Sequence, residues 1–188
     1  MRIISGKFKN RKLFFPKNLK TRPLKDSVKE SIFNILDHSK NIDIQIKNSK
    51  VLDLYSGSGS FGLESLSREA SFVLFLEKDP EAKSNLKKNI EFFNVNKRVE
   101  VVEMDILQFF KKNSLKKKFN IIFLDPPYKD ENYYEVIKKI REKNFFDKKH
   151  IFIVHREKNS DKRLSKYLNI IESRIYGRSE IFFGNFLI

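Results

Sequence analysis

No cysteine and no tryptophan occur among the 188 residues of this chain, and alanine is scarce. Without cysteine there is no disulfide framework and no thiolate metal site, which suits a reducing cytosol. The opening Met1-Arg2-Ile3-Ile4-Ser5-Gly6-Lys7 lacks the long apolar stretch of a secretory signal, and no apolar run reaches membrane-spanning length. A soluble cytoplasmic protein with no membrane partner is expected. Negative charge is also short: 24 acids face 39 lysines and arginines, a formal charge of +15. That excess points to a polyanionic partner. Abundant Lys, Asn, Ile and Phe with little Ala is also what codon bias in a low-GC genome produces, so part of the lysine excess is plain solvated surface. Arginine is less inflated by such bias, and it clusters at Arg2, Arg11 and Arg22 and again at Arg156, Arg174 and Arg178.

The length suits one globular body with a sizeable core. Residues 1–40 read as a basic N-terminal β arm followed by a helix, and residues 41–188 as the main domain. Ten of the first thirty residues are Lys or Arg against two acids, with Phe8, Phe14 and Phe15 interleaved. Basic side chains meet phosphates and aromatic rings stack on bases, although Phe14 or Phe15 would equally serve to pack the arm on the body. Arg2-Ile3-Ile4 and Lys12-Leu13-Phe14-Phe15 predict a hairpin or two short strands. Ser27-Val28-Lys29-Glu30 has capping-box spacing, and Val28, Ile32, Ile35 and Leu36 predict a helix ending near Ser39.

From Lys50 onward strands and helices alternate. Strands are expected at 51–54, 72–76, 99–102, 119–124 and 151–154. Helices are expected over 61–69, from Pro80 with Leu86, Ile90 and Phe93 on one face, around Ile106 to Phe110, around Tyr133 to Ile140, and over 160–168. Two closing strands, 169–176 and 180–187, turn at Gly177 and read as antiparallel. Alternation of this kind predicts an α/β fold with a mostly parallel, Rossmann-like sheet and helices on both faces.

Two stretches carry chemistry. Asp53-Leu54-Tyr55-Ser56-Gly57-Ser58-Gly59-Ser60-Phe61-Gly62 follows the first strand, and its glycines let the backbone approach a ligand before turning into a helix. The same glycines satisfy the dinucleotide pattern, so a nicotinamide cofactor must be weighed. Asp53, inside the strand, would repel a pyrophosphate but suits an amino or cationic group. Glu77 ends the second strand and suits ribose hydroxyls; Asp105 follows the third and suits an adenine amine. S-adenosyl-L-methionine is therefore the expected cofactor.

The second stretch is Asp125-Pro126-Pro127-Tyr128, at the end of the apolar run Ile121–Leu124. Prolines cannot continue a ladder, so a carboxylate, a carbonyl and an aromatic face are held rigidly at a strand's C-terminal edge, where open α/β sheets bind ligands. An aromatic base draws its exocyclic amine lone pair into the ring. The Asp125 carboxylate and the Pro126 carbonyl, accepting the amine hydrogens, would aim that lone pair at a methyl group. Tyr128 offers a stacking face for an extruded base. Read this way the turn serves guanine and adenine alike. His150 and His155 fall on opposite faces of one strand with no cysteine nearby, and His38 lies near a helix end, so no metal is expected.

Taken together, Asp53–Gly59 and Asp125–Tyr128 resemble the class I methyltransferases that act on exocyclic amines. Arg2-Ile3-Ile4-Ser5-Gly6, Arg11-Lys12-Leu13, Thr21-Arg22-Pro23, Glu30-Ser31-Ile32-Phe33-Asn34 and Gly62-Leu63-Glu64-Ser65-Leu66-Ser67-Arg68 narrow the resemblance to RsmD, the bacterial 16S rRNA guanine-N2 methyltransferase family. The resemblance implies a seven-stranded methyltransferase sheet and methylation of one guanine of 16S rRNA, within the 30S subunit or an assembly intermediate, by a monomer. It implies catalytic roles for Asp125, Pro126, Pro127 and Tyr128. Asp53, Tyr55, Gly57, Gly59, Glu77, Lys78, Asp105, Ile106 and Asp125 would hold the donor, and Arg2, Lys7, Arg11, Lys12 and Arg22 the RNA, with Pro23 beside the site. Leu24-Lys25 replace threonines common in the family. The alternatives are an adenine-N6 methyltransferase on RNA or DNA, a non-catalytic RNA-binding assembly factor and, more distantly, a nicotinamide-dependent oxidoreductase.

Overall fold

The computed structural model describes residues 1–16, 24–112, 117–159 and 163–187. Arg22 and Pro23 lie outside the described residues. Seven strands form one sheet: β1 (Lys50–Leu54), β2 (Phe72–Leu76), β3 (Val99–Val102), β4 (Phe119–Leu124), β5 (Phe146–Glu157), β6 (Asn169–Tyr176) and β7 (Ser179–Asn185). Their order is β3-β2-β1-β4-β5-β7-β6. The first five run parallel, and β7 is antiparallel to both β5 and β6.

The central strands are apolar on both faces because helices cover both, and their period of two sorts the core into two layers. Val51, Val73, Phe75, Ile121, Phe123, Ile151 and Ile153 face one layer. Leu52, Leu74, Leu76, Ile122, Leu124, Phe152 and Val154 face the other. Helices α1 (Asp26–His38), α2 (Ser60–Ser67) and α3 (Pro80–Phe93) put Ile32, Phe33, Phe61, Leu63, Leu86 and Ile90 into the first layer. Helices α4 (Ile106–Lys112) and α5 (Tyr133–Glu142) put Phe109, Phe110, Ile137 and Ile140 into the second. The chain thus winds one way through β1, β2 and β3 and the other way through β4 and β5. The crevice between β1 and β4 is a topological switch point, where such sheets take ligands at their C-terminal ends.

Several boundaries differ from expectation, each for a tertiary reason. Helix α1 starts at Asp26, and its cap position Lys25 makes no side-chain cap bond, so the expected Ser27–Glu30 capping box does not form. Asp26 instead accepts the Arg2 N–H at 3.4 Å and lies 3.8 Å from the buried Lys29 ammonium. Strand β5 begins five residues early, at Phe146, because β4 offers a pairing edge that the polar stretch Lys148-Lys149-His150 conceals in sequence. Of the helix expected over 160–168, the described residues hold only a single 3₁₀ turn, Leu164–Lys166. Pro80 opens α3 at its first turn as expected, with Asp79 accepting the Ala82 N–H at 2.8 Å.

The N-terminal arm makes one antiparallel bridge, Arg2 with Lys12, around a 3₁₀ turn at Gly6–Phe8, rather than a full hairpin. It is bolted to α2. Buried Glu64 accepts the N–H groups of Ile4 at 2.7 Å and Ser5 at 2.9 Å, while Ser67 Oγ donates to the Ser5 carbonyl at 2.5 Å and accepts from Phe8 N–H at 2.9 Å. Ile3, Phe8 and Leu13 enter the same core layer as Phe61. Gly6 makes this approach possible: its φ is +77°, and a Cβ there would stand 2.0 Å from the Ser67 carbonyl oxygen. Gly6→Ala is therefore expected to cost about 2–5 kcal/mol, the sum of left-handed strain and overpacking. An unchanged urea midpoint would show that the arm does not need this contact.

Candidate active site

Strand β1 delivers Asp53, β2 delivers Glu77 and β4 delivers Asp125 to one crevice of about 600 Å³. Asp53, Tyr55, Gly57, Glu77, Lys78, Asp105, Ile106 and the whole of Asp125–Tyr128 line it, as do Ser58 of the glycine loop and Met104, Leu107 and His155, which no motif singled out. Gly59 does not. It opens α2 with φ +82°, and a Cβ there would stand 2.4 Å from Leu86 Cδ1, so this glycine serves the packing of the loop on α3. Arg2, Lys7 and Lys12 are exposed on the arm beyond the lining.

Asp53 is 1% exposed and accepts the Gly62 N–H through Oδ2 at 2.9 Å. Its Oδ1 is buried without a hydrogen-bond partner, as are Ser58 Oγ and His155 Nε2 around the same crevice. Buried polar atoms are rarely left unpaired unless something else satisfies them. Burial pushes the Asp53 carboxyl well above the usual carboxylate range, and the nearby charges of Asp125 and Glu77 push it the same way. Asp53, Glu77, Asp105 and Asp125 lining one crevice fit a ligand carrying positive charge and amine donors.

The sign of the Asp53 effect yields a measurement. A carboxyl raised in the folded state holds its proton to higher pH than in the unfolded chain. Its contribution to stability is then present at acid pH and is lost as pH rises from the unfolded value, near 3.8, through the folded one. Asp53→Asn is expected to melt above the wild type near neutral pH, with the difference shrinking on acidification. A ligand-free variant that melts lower at neutral pH would refute this.

The other acids and loop residues of the crevice are held by their own loops. Glu77 accepts from Gly57 N–H at 2.6 Å and Asp79 N–H at 2.8 Å, tying the glycine loop to the end of β2. Asp105 caps α4 by accepting from Leu107 N–H at 3.0 Å and Gln108 N–H at 3.3 Å, and its other oxygen lies 3.6 Å from Lys78 Nζ. Each carboxylate keeps lone pairs beyond those used. Tyr55 sits at φ +60°, a left-handed conformation uncommon outside glycine, and donates its hydroxyl to Asp130 Oδ2 at 3.1 Å. Burial and Asp130 both push that hydroxyl's pKa upward, so it stays a donor. Asp130 N–H in turn bonds the Pro127 carbonyl at 2.8 Å, so Tyr55 joins the glycine loop to the segment after the two prolines.

Two residues that no motif marked for the site govern the Asp125 turn. Pairing of Leu124 with Val154 sets residues 125 and 155 side by side at the ends of neighbouring strands. His155 Nδ1 lies 2.8 Å from Asp125 Oδ1. An ionised carboxylate only accepts, so Nδ1 carries the proton and Oδ2 is left for a ligand. Arg156, 3% exposed, sits beneath the turn and donates to the carbonyls of Pro126 at 3.4 Å, Pro127 at 3.1 Å and Tyr128 at 2.8 Å. Its guanidinium stacks 4.5 Å over the Tyr133 ring. Arg156, counted by sequence in an arginine cluster favouring a polyanionic partner, is instead buried and committed to the turn: a planar fork can span three carbonyls of a proline turn that has few N–H donors of its own. Arg174 and Arg178 are also occupied, by Glu172 at 2.7 Å and Glu157 at 2.9 Å. Arg11 is partly committed, donating to the Phe92 carbonyl at 2.9 Å.

His150, on the other face of β5, accepts the Phe186 N–H at 2.9 Å. Among the described residues no group of His, Asp or Glu could hold a metal ion, and no helix is long and apolar enough to cross a membrane.

A family model described as conserved hypothetical protein 95 matches residues 1–185. The ribosomal RNA small subunit methyltransferase D of Haemophilus influenzae is 35% identical over 160 residues, covering 85% of this chain and 80% of that protein. The same-named protein of Buchnera aphidicola from Acyrthosiphon pisum is 32% identical over 173 residues, covering 92% and 86%. Among solved structures, the Escherichia coli protein yhhF has a TM-score of 0.82 at 27% identity, with 98% of this chain and 96% of that one covered. Matched along nearly its whole length in sequence and fold, this chain belongs to the conserved hypothetical protein 95 family, that of RsmD, and is a methyltransferase.

Proposed function

We propose that the protein transfers a methyl group from S-adenosyl-L-methionine to the exocyclic N2 amine of one guanine in small-subunit rRNA. The observation that carries this reading is the meeting of two half-sites in one crevice: the unpaired buried Asp53 oxygen and the Asp125-Pro126-Pro127-Tyr128 turn. S-adenosylmethionine supplies an electrophilic methyl on a sulfonium. Asp53 takes the donor's ammonium, Gly57 and Tyr55 bound its methionine end, Glu77 takes the ribose, and Asp105 with Met104, Ile106 and Leu107 takes the adenine. Lys78 holds Asp105 in place.

On the acceptor side the base is flipped out of its helix and stacks on Tyr128. Asp125 Oδ2 and the Pro126 carbonyl accept the two amine hydrogens and aim the nitrogen lone pair at the methyl carbon. With the donor bound, the amine nitrogen would gain the methyl as the sulfonium's C–S bond is given up, and Asp125 would carry away the surplus proton. His155 keeps Oδ1 engaged so that Oδ2 alone faces the amine. The names of the relatives support rRNA as substrate, and exposed Arg2, Lys7 and Lys12, with Arg11, supply charge for its phosphates. We place the enzyme in the cytoplasm, acting as a monomer on the 30S subunit or an assembly intermediate.

The test is direct. The protein is incubated with labelled S-adenosylmethionine and either naked 16S rRNA or 30S particles lacking the modification, followed by digestion to nucleosides. Label in N2-methylguanosine is the expected result; label in N6-methyladenosine, or none, sinks the proposal. Asp53→Asn should lose affinity for S-adenosylhomocysteine by about tenfold or more, the worth of a charged hydrogen bond. RNA affinity should fall steeply with salt, because phosphate contacts release counterions; a flat salt dependence would contradict the role given to the arm.

A further inference from the structure

Among the described residues four large apolar side chains are exposed, and two of them touch: Phe14 of the arm, 47% exposed, and Phe92 in the last turn of α3, 45% exposed. Their ring centroids are 5.6 Å apart at 80°. Neither faces the core, since Phe93 and Leu13 beside them supply the buried rings and methyls. Leaving two phenylalanines this exposed forgoes the stabilisation that burying their rings would bring.

The pair is built rather than loose. Fully buried Asn89 accepts the Phe14 N–H at 2.8 Å and donates to the Phe14 carbonyl at 3.0 Å, and it also donates to the Ser58 carbonyl of the glycine loop at 3.0 Å. Arg11 lies 4.2 Å over the Phe92 ring while bonding its carbonyl. Arg11, Lys12 and Lys88 (one turn before Phe92) have no carboxylate within ion-pair distance among the described residues. The residues after Phe14, Phe15 and Pro16, line the active-site crevice.

We propose that Phe14 and Phe92, with Arg11, Lys12 and Lys88 around them, form a stacking platform for an unpaired base of the RNA beside the methylated nucleotide. The proposal rests on the nucleic-acid reading above and deepens it: at the arm side of the crevice's rim the RNA presents an unpaired base. Aromatic faces stack with any base, and cations that neutralise no carboxylate among the described residues meet the adjoining phosphates. A second copy of this chain fits the patch poorly, because each copy carries +15 and the platform is ringed by cations.

The test measures binding of a fluorescent oligoadenylate of about 12 nucleotides, within the usual span of single-strand sites. The Phe14→Leu/Phe92→Leu double variant keeps apolar bulk but loses both π faces. It should bind about tenfold or more weakly, in keeping with the worth of base–aromatic stacking. Phe14→Tyr/Phe92→Tyr should bind as the wild type does. The salt slope should be unchanged in the leucine variant and shallower by about 0.7 in Lys88→Ala. Melting temperature and S-adenosylhomocysteine binding report on the fold of each variant.

Wild-type affinity in the leucine variant, or failure of the tyrosine variant to restore it, overturns the platform while RNA binding itself stands. Loss of self-association instead of RNA binding makes the patch a protein contact and overturns it too. If the wild type binds neither oligoadenylate nor 16S rRNA, the nucleic-acid reading falls and the platform with it.

Discussion

Asp125→Asn is expected to bind donor as the wild type does and to lose about 10²–10³-fold in turnover, the usual worth of one preorganised electrostatic contact at a reacting group. The substitution is isosteric, and the asparagine can still accept from His155 Nδ1, which lies 2.8 Å from Asp125 Oδ1. Its amide nitrogen then occupies the Oδ2 position. A donor would face the donor hydrogens of the substrate amine, so one of the two acceptors that aim the lone pair becomes repulsive. Asp53, Glu77 and the glycine loop are untouched, so S-adenosylhomocysteine affinity should stay within a few-fold. Turnover near the wild-type level, or lost donor affinity with turnover intact, would show that the acceptor role belongs elsewhere.

The second large effect is expected at Arg156. Replacing it by leucine removes the donors that reach the Pro126, Pro127 and Tyr128 carbonyls and leaves three acceptors beneath the turn. Hydrogen bonds to a charged group carry about 1.5–3 kcal/mol each, not additively, so a loss of about 2–4 kcal/mol is expected. At roughly 2–4 °C per kcal/mol for a chain of this size, melting should fall by about 5–15 °C. Arg156→Lys separates scaffold from chemistry. An ammonium restores the charge and one or two of the bonds but not the planar fork, so stability should recover in part while turnover stays low and the KM for donor changes little. Equal recovery of stability and turnover in the lysine variant would mean that Arg156 supports folding alone.

Much of this arrangement was legible in the sequence because it rests on local chemistry. The run Ile121–Leu124 is a strand because it is short, apolar and stopped by two prolines, and Asp125 follows from that stop. Asp53 lies one residue before the end of β1 and Glu77 directly follows β2, where side-chain alternation and the glycine turn leave little freedom. Closing strands β6 and β7 are antiparallel around Gly177, at φ +61°, as their short connection requires. The extent of β5 and the start of α1 were not legible, because partners distant in sequence determine both.

By itself, then, the sequence determined the order of the seven sheet strands along the chain, the two-faced sheet, and which acids and which turn reach the C-terminal edge of the sheet. Those follow from periodicities of two and 3.6 and from the rigidity of proline. Only the tertiary structure decided that His155 and Arg156 belong to the site, that Gly59 serves packing and that Phe14 meets Phe92. Each of those contacts joins residues from elements far apart in the chain, and strand register or helix docking, not local preference, brings them within reach.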